Sequence, residues 1–312
     1  MSRMVLTRIG MALISLLAVS AIIFWCVELL PGDAAERILG RNATPESLAL
    51  LREKLHLNLS AGERYLRWLS ALLSGDLGTS IVADRPVLDY ISSRIANTAL
   101  LSGFALLLYI PVSIALGVIT AIYRGKMIDH AISAIVIVFM CLPEFVIGIL
   151  LISIFAIKLA WLPPLALIGQ AQSFGQLIQL IALPTVTIVA AMSAYAVRMM
   201  RESLIEVLES SYVLMARLKG LPTWRVLLFH ALPNALGPAI NITALNVAWM
   251  IGGVVVVEAV FEFPGIGRLM VDSISHKDVP VILAISMVMT GAYIATNLVA
   301  DILVILLNPK LR

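Results

Sequence analysis

The sequence predicts an all-α polytopic membrane protein with six transmembrane helices. Three observations predict it. The composition is 61% hydrophobic and only 13% charged, where an average soluble domain carries about 25% charged residues. Mean hydropathy is +1.00. Several apolar runs reach the length of about 20 residues that a helix needs to cross hydrocarbon. The spans fall at about 9–30, 97–123, 130–157, 177–200, 236–261 and 279–307.

The first span could be mistaken for a signal peptide, because Arg3 and Arg8 precede it. Its apolar run continues to Leu30, beyond the ~7–15 residues of a signal core, and no small-x-small cleavage site follows. It reads as a retained N-terminal helix, residues 1–30. The loop at 31–95 is expected to fold as a small cap of its own. In "TPESLALLREKLHL", Thr44 is an N-cap with Pro45 at the first helical position. "ERYLRWLSALL" has the period of a second amphipathic helix, and "GDLGTS" and "DRP" read as turns. Residues 96–312 would carry the other five spans.

Six spans place both termini on one side of the membrane. The short segments on that side hold about 11 of the 22 Lys and Arg residues, and those opposite hold only Lys158, Arg268 and Lys277. Basic residues concentrate on the cytoplasmic side, so both termini are expected there and the 31–95 loop outside.

Residue chemistry argues against several function classes. The chain has no GxxxxGK[ST], HExxH, CxxC or GxSxG. It is therefore not expected to bind ATP through a P-loop, to hold a metal or to be an enzyme. Cys26 and Cys141 lie in apolar runs and read as reduced packing residues. A net charge of +3 gives no sign of nucleic-acid binding. A stand-alone secondary transporter or channel is an alternative, and it would more naturally show internal repeats.

Within the spans, Glu144 follows Pro143 in "FMCLPEFVIG". Fourteen residues into its run, it would lie about 21 Å deep. A carboxylate there is costly and is a candidate for the translocation path. A solvated Glu near an outer vestibule is the other reading. Pro143 is expected to kink the helix. Asn241 and Asn246 are further path candidates, although amides in spans also glue helices together.

The stretch from Ser211 to Leu236, "SYVLMARLKGLPTWRVLLFHALPNAL", is too polar to span and too apolar to be a free loop. Tyr212, Met215, Ala216, Arg217, Lys219 and Gly220 read as one short helix, with Ala216 and Gly220 forming a small-residue face. Gly220 suits its C-terminus. Leu221-Pro222-Thr223 is a turn, a second helix runs from Trp224 to about Leu232, and Pro233 ends it. Spacing alone leaves open whether this wedge docks on protein or lies on lipid headgroups.

That stretch resembles the EAA loop of ABC-importer permeases, whose pattern is EAA, three residues, Gly, nine residues and Ile-x-Leu-Pro. Leu214-Met215-Ala216, Gly220 and His230-x-Leu232-Pro233 occupy those positions, with Leu, Met and His replacing Glu, Ala and Ile. "ARxKG" and "HALxNAL" look like the peptide/nickel branch. "LPGD", "YLRWL", "GDLGTS", "RPV", "VEAVFEFPGIGRLMVDSI" and "NLVADIL…NPKLR" resemble the first, B-type permease of dipeptide, oligopeptide, glutathione or nickel importers, over nearly the whole chain. Glu144 departs from the small polar residue expected there in this branch.

The resemblance implies an inner-membrane permease of a bacterial or archaeal importer that works by alternating access. It implies a second homologous permease, two ATPase subunits that bind the ATP and Mg, and a periplasmic or lipid-anchored substrate-binding protein. Tyr212, Met215, Ala216, Arg217, Lys219, Gly220, Leu221, His230, Leu232 and Pro233 would form the ATPase-coupling element. Phe263, Pro264, Gly265 and Gly267 would lie near the binding-protein interface.

Overall fold

The computed structural model describes residues 2–29, 44–54 and 58–307. "LPGD" and "NPKLR" fall outside them. Among the described residues, eleven α-helices of eight or more residues carry the architecture: α1 Ser2–Glu28, α2 Pro45–Lys54, α3 Ala61–Leu73, α4 Val87–Ile122, α5 Met127–Cys141, α6 Glu144–Leu151, α7 Phe174–Leu208, α8 Ser211–Leu218, α9 Leu232–Val260, α10 Ile266–His276 and α11 Val279–Leu307. Among the described residues there is no β-strand, only an isolated bridge between Thr79 and Pro86.

Among the described residues, five helices are long and apolar enough to cross a membrane, within α1, α4, α7, α9 and α11. The sixth candidate is the pair α5 and α6, bent by 114° at Leu142-Pro143. Proline supplies no N–H and disfavours helical geometry in the residue before it. Leu142 is accordingly extended, at φ −91° and ψ 133°. The Pro143 carbonyl then accepts from Val146 N (3.0 Å) and Ile147 N (3.2 Å), which starts α6. The expected kink is thus a full break. At its far end α6 widens into a π-helical stretch, Ile152–Lys158.

By packing, the chain divides into two compact units, each discontinuous in sequence: 1–97 with 265–298, and 98–264 with 299–312. In the first, Ser60 and Glu63 form a reciprocal capping box at the start of α3. The Ser60 hydroxyl and amide hold the Glu63 carboxyl below its ordinary range. Tyr65 and Trp68 of α3 pack on Phe24 of α1 with ring centroids 5.4 and 5.9 Å away. Arg64 pairs with Glu28, and Ser20 shares a 2.9 Å hydrogen bond with the Tyr65 hydroxyl. The "GDLGTS" turn is anchored elsewhere. Buried Asp278 accepts hydrogen bonds from the Ser80 hydroxyl and from the amides of Ile81 (3.1 Å) and Val82 (3.3 Å).

The second unit is built on α7. More than half of its most apolar window is buried, 56% against 11% for α1. Tyr109, Met192, Val254, Phe261 and Phe263 make the main core around it. Two glycines set helix approach. A Cβ on Gly117 of α4 would lie 2.6 Å from the Met200 Cβ of α7, and one on Gly148 of α6 would lie 3.1 Å from the Phe261 ring. Larger residues there would force the helices apart.

Candidate functional site

The residues between α7 and α9 form a compact helical unit whose conformation follows from three local features. Gly220 adopts φ +77°. Its amide donates to Arg217 O (2.9 Å) and the Leu221 amide to Ala216 O (3.4 Å), the Schellman closure that favours glycine. Pro222 precedes a short turn, Thr223–Arg225. The chain then runs through a π-helical stretch, Val226–Ala231, directly into α9. Pro233 occupies the first turn of α9, where its missing N–H costs least. The expected stop at Pro233 is therefore corrected: helical backbone continues through it, and the preceding π stretch accommodates the lost bond.

Side-chain placement corrects a second expectation. Val213 and Ala216 face inward, Ala216 being 6% exposed, against a core of Met200, Leu204, Val226, Ala231 and Ala235. Gly220 lies beyond the helix end, and a Cβ on it would meet nothing within 4 Å. The outward small-residue face is absent. Ala216 is small so that α8 can sit close to its own subunit, and Gly220 is needed for its dihedral. The outward face instead shows Tyr212, Leu214, Met215 and Leu218, the last 73% exposed, with Trp224 and Phe229 beside them. Arg217, Lys219 and Arg225 are also exposed. Leu221, Leu232 and half-buried His230 are internal supports. The Tyr212 hydroxyl donates to His230 O at 3.4 Å, and the Asn234 amide to the same oxygen at 2.8 Å. A cavity of about 500 Å³ opens beside the unit, bounded by Ile122, Arg124, Glu209, Arg217, Trp224 and Leu227. Arg124 and Glu209 pair across it.

An ion pair between a buried carboxylate and a half-buried guanidinium supports α7, the helix that leads into this unit. Arg201 donates from Nε and one terminal nitrogen to the two Asp129 oxygens, both at 2.8 Å. The Gly125 amide (2.9 Å) and Ser133 hydroxyl (3.3 Å) complete the carboxylate's shell. Asp129 is 2% exposed. The pair ties the start of α5 to the end of α7. Sequence reading missed it because the partners are 72 residues apart and each sits at a helix end, where charges commonly meet headgroups.

The path candidates separate. Glu144 begins α6 and is half-buried against α9, with one carboxylate oxygen 3.3 Å from where a Gly253 Cβ would stand. Asn246 is committed to packing, its amide donating to the Tyr109 hydroxyl (2.8 Å) and Met192 O (3.2 Å). The Asn241 side chain is outside the described residues. Glu258, which sequence reading did not single out, is fully buried and accepts from Thr98. Phe263, Gly265 and Gly267 are buried and Pro264 half-buried, so they hold the turn, and Glu262 is exposed within it. Cys26 and Cys141 are free and exposed, not packed in the core.

Comparison with known proteins places this geometry. Residues 113–312 match the family model "Binding-protein-dependent transport system inner membrane component", and residues 1–102 match its N-terminal companion. A probable peptide ABC transporter permease protein of Sinorhizobium fredii is 36% identical over 304 residues, covering 96% of this chain and 97% of that protein. The glutathione transport system permease protein GsiC is 36% identical in Escherichia coli K12, covering 96% and 95%. In Salmonella typhimurium it is 35% identical, covering 99% and 98%. A crystal structure of an amino acid ABC transporter with histidines shares the fold, with a TM-score of 0.52 at 14% identity over 69% of this chain and 92% of that one. The family is a transport component, not an enzyme, and this chain belongs to it: a multi-pass inner-membrane permease of a binding-protein-dependent ABC importer.

Proposed function

We propose that this permease forms half of a translocation path for di- or oligopeptides or related small compounds such as glutathione, and that the outward face of α8 docks on an ATPase subunit. The family's dependence on a binding protein and ATPase subunits is the frame for this reading. A second homologous permease and two ATPase subunits would complete the assembly, with both termini and α8 in the cytoplasm. The cargo class rests on relatives named for peptide and glutathione transport.

The observation that carries the docking assignment is that α8 is apolar on both sides. Val213 and Ala216 satisfy its own subunit, yet Leu214, Met215 and Leu218 stay exposed beside Arg217 and Lys219. An eight-residue helix apolar on both faces needs a second covering surface. The occupied positions also keep the spacing of the EAA loop. Closure of the ATPases on ATP would push this rigid unit, and α7 and α9, joined to its two ends, would carry the motion into the spans.

Met215→Glu/Leu218→Glu tests the assignment, because both positions point away from the subunit's own core. The expected result is normal membrane insertion with loss of co-purifying ATPase and of uptake. Unchanged co-purification and uptake would remove the docking role.

A further inference from the structure

The carboxylate at the broken span has no counter-charge. Glu144 makes no hydrogen bond or ion pair among the described residues. No Lys or Arg occurs in 131–157, 159–197 or 231–267, the stretches that carry Glu144 and pack around it. A half-buried, unpaired carboxylate in a span cannot face acyl chains cheaply, so its open side marks water or a cation.

A second group converges on the same point. The Trp249 ring lies 3.1 and 3.2 Å, and Glu144 Oε1 3.3 Å, from where a Cβ on Gly253 would stand. Trp249 is 44% exposed, so part of its indole is uncovered. Gly253 leaves the space, and the helix break at Pro143 brings the carboxylate to it. A carboxylate beside an indole is the composition that recognises an ammonium group: one supplies full charge, the other its negative ring face.

We infer that Glu144, Trp249 and Gly253 form a subsite in the translocation path for a positively charged amino group of the cargo, such as a peptide amino terminus. The inference rests on the permease reading above and adds the chemistry of what passes. Passage requires weak binding, and one carboxylate with one aromatic ring supplies that without trapping the cargo.

The full transporter in proteoliposomes tests it, with uptake of labelled alanyl-alanine and binding-protein-stimulated ATP hydrolysis read on the same vesicles. Glu144→Gln is expected to lower uptake about tenfold, and Trp249→Leu less, while stimulated hydrolysis is retained. Glu144→Asp, which keeps the charge, should recover part of the uptake. Wild-type uptake in both Glu144→Gln and Trp249→Leu overturns the subsite. So does a parallel loss of uptake and hydrolysis, which would mark Glu144 as a structural contact or a partner for a basic residue of the second permease. A wild-type complex that takes up N-acetylated alanyl-alanine as fast as the free dipeptide also overturns it and leaves the permease reading standing. A wild-type complex whose hydrolysis ignores the binding protein defeats the permease reading instead.

Discussion

Gly220 shows what a single dihedral does for this protein. With φ at +77° and open space around it, any L-residue is strained there without meeting a clash. Gly220→Ala should lower the thermal unfolding midpoint by an amount corresponding to about 1 kcal/mol, and Gly220→Asn by less, because Asn tolerates this region. Equal midpoints for glycine, alanine and valine would contradict the dihedral account. The sequence revealed a helix C-terminus at Gly220 because that is a local backbone property. It did not reveal which way Ala216 faces. Helical spacing groups residues on a face but does not say which face the subunit's own core covers. Asp129 was hidden for a different reason, since its partner Arg201 comes from another helix. Asp129 is buried while Arg201 keeps part of its guanidinium in solvent, so Asp129→Asn removes a charged hydrogen-bond acceptor without stranding a fully buried cation. It should cost about 1.5–3 kcal/mol in detergent unfolding, and a cost near zero would contradict the tie between α5 and α7.

At the scale of elements, close approach depends on where glycines sit. Gly117 has the Met200 Cβ within 2.6 Å of its own missing Cβ, whereas Gly103 on the same helix has nothing within 4 Å. Gly117→Ala should thus destabilise by about 1–3 kcal/mol, with Gly103→Ala within about 0.5 kcal/mol of wild type. Thermal unfolding of the two purified variants checks the contrast, and equal effects would contradict it. Five of the expected spans were legible because length and hydropathy are enough to define a membrane helix. The sixth was legible as a run, with Pro143 as its weak point. Its 114° bend was not, because how far a helix turns at a proline depends on what the second half packs against. Here α6 lies against α7 and α9, with Gly148 fitted to the Phe261 ring. The opposite error arose at Pro233, where helical backbone passes through a proline that looked like a terminator.

The whole molecule works only with partners, and its surface reflects this. The apolar outer face of α8 and the unpaired carboxylate of Glu144 are both incomplete within one chain. Sequence motifs pointed to the first because the EAA spacing is retained, and to the second because a charge in a span stands out. They did not show which residues of the turn after α9 face outward: Phe263 belongs to the core, and Glu262 is exposed. The central claim is that the outward face of α8 meets an ATPase. Cysteine cross-linking in the assembled complex tests it most directly, after Cys26 and Cys141 are replaced by serine. Leu218→Cys and Met215→Cys should each form a cross-link to the ATPase subunit, whereas Val213→Cys, on the buried face, should form none. Failure of both outward positions to cross-link in a complex that still transports, or equal cross-linking from Val213→Cys, would contradict the account.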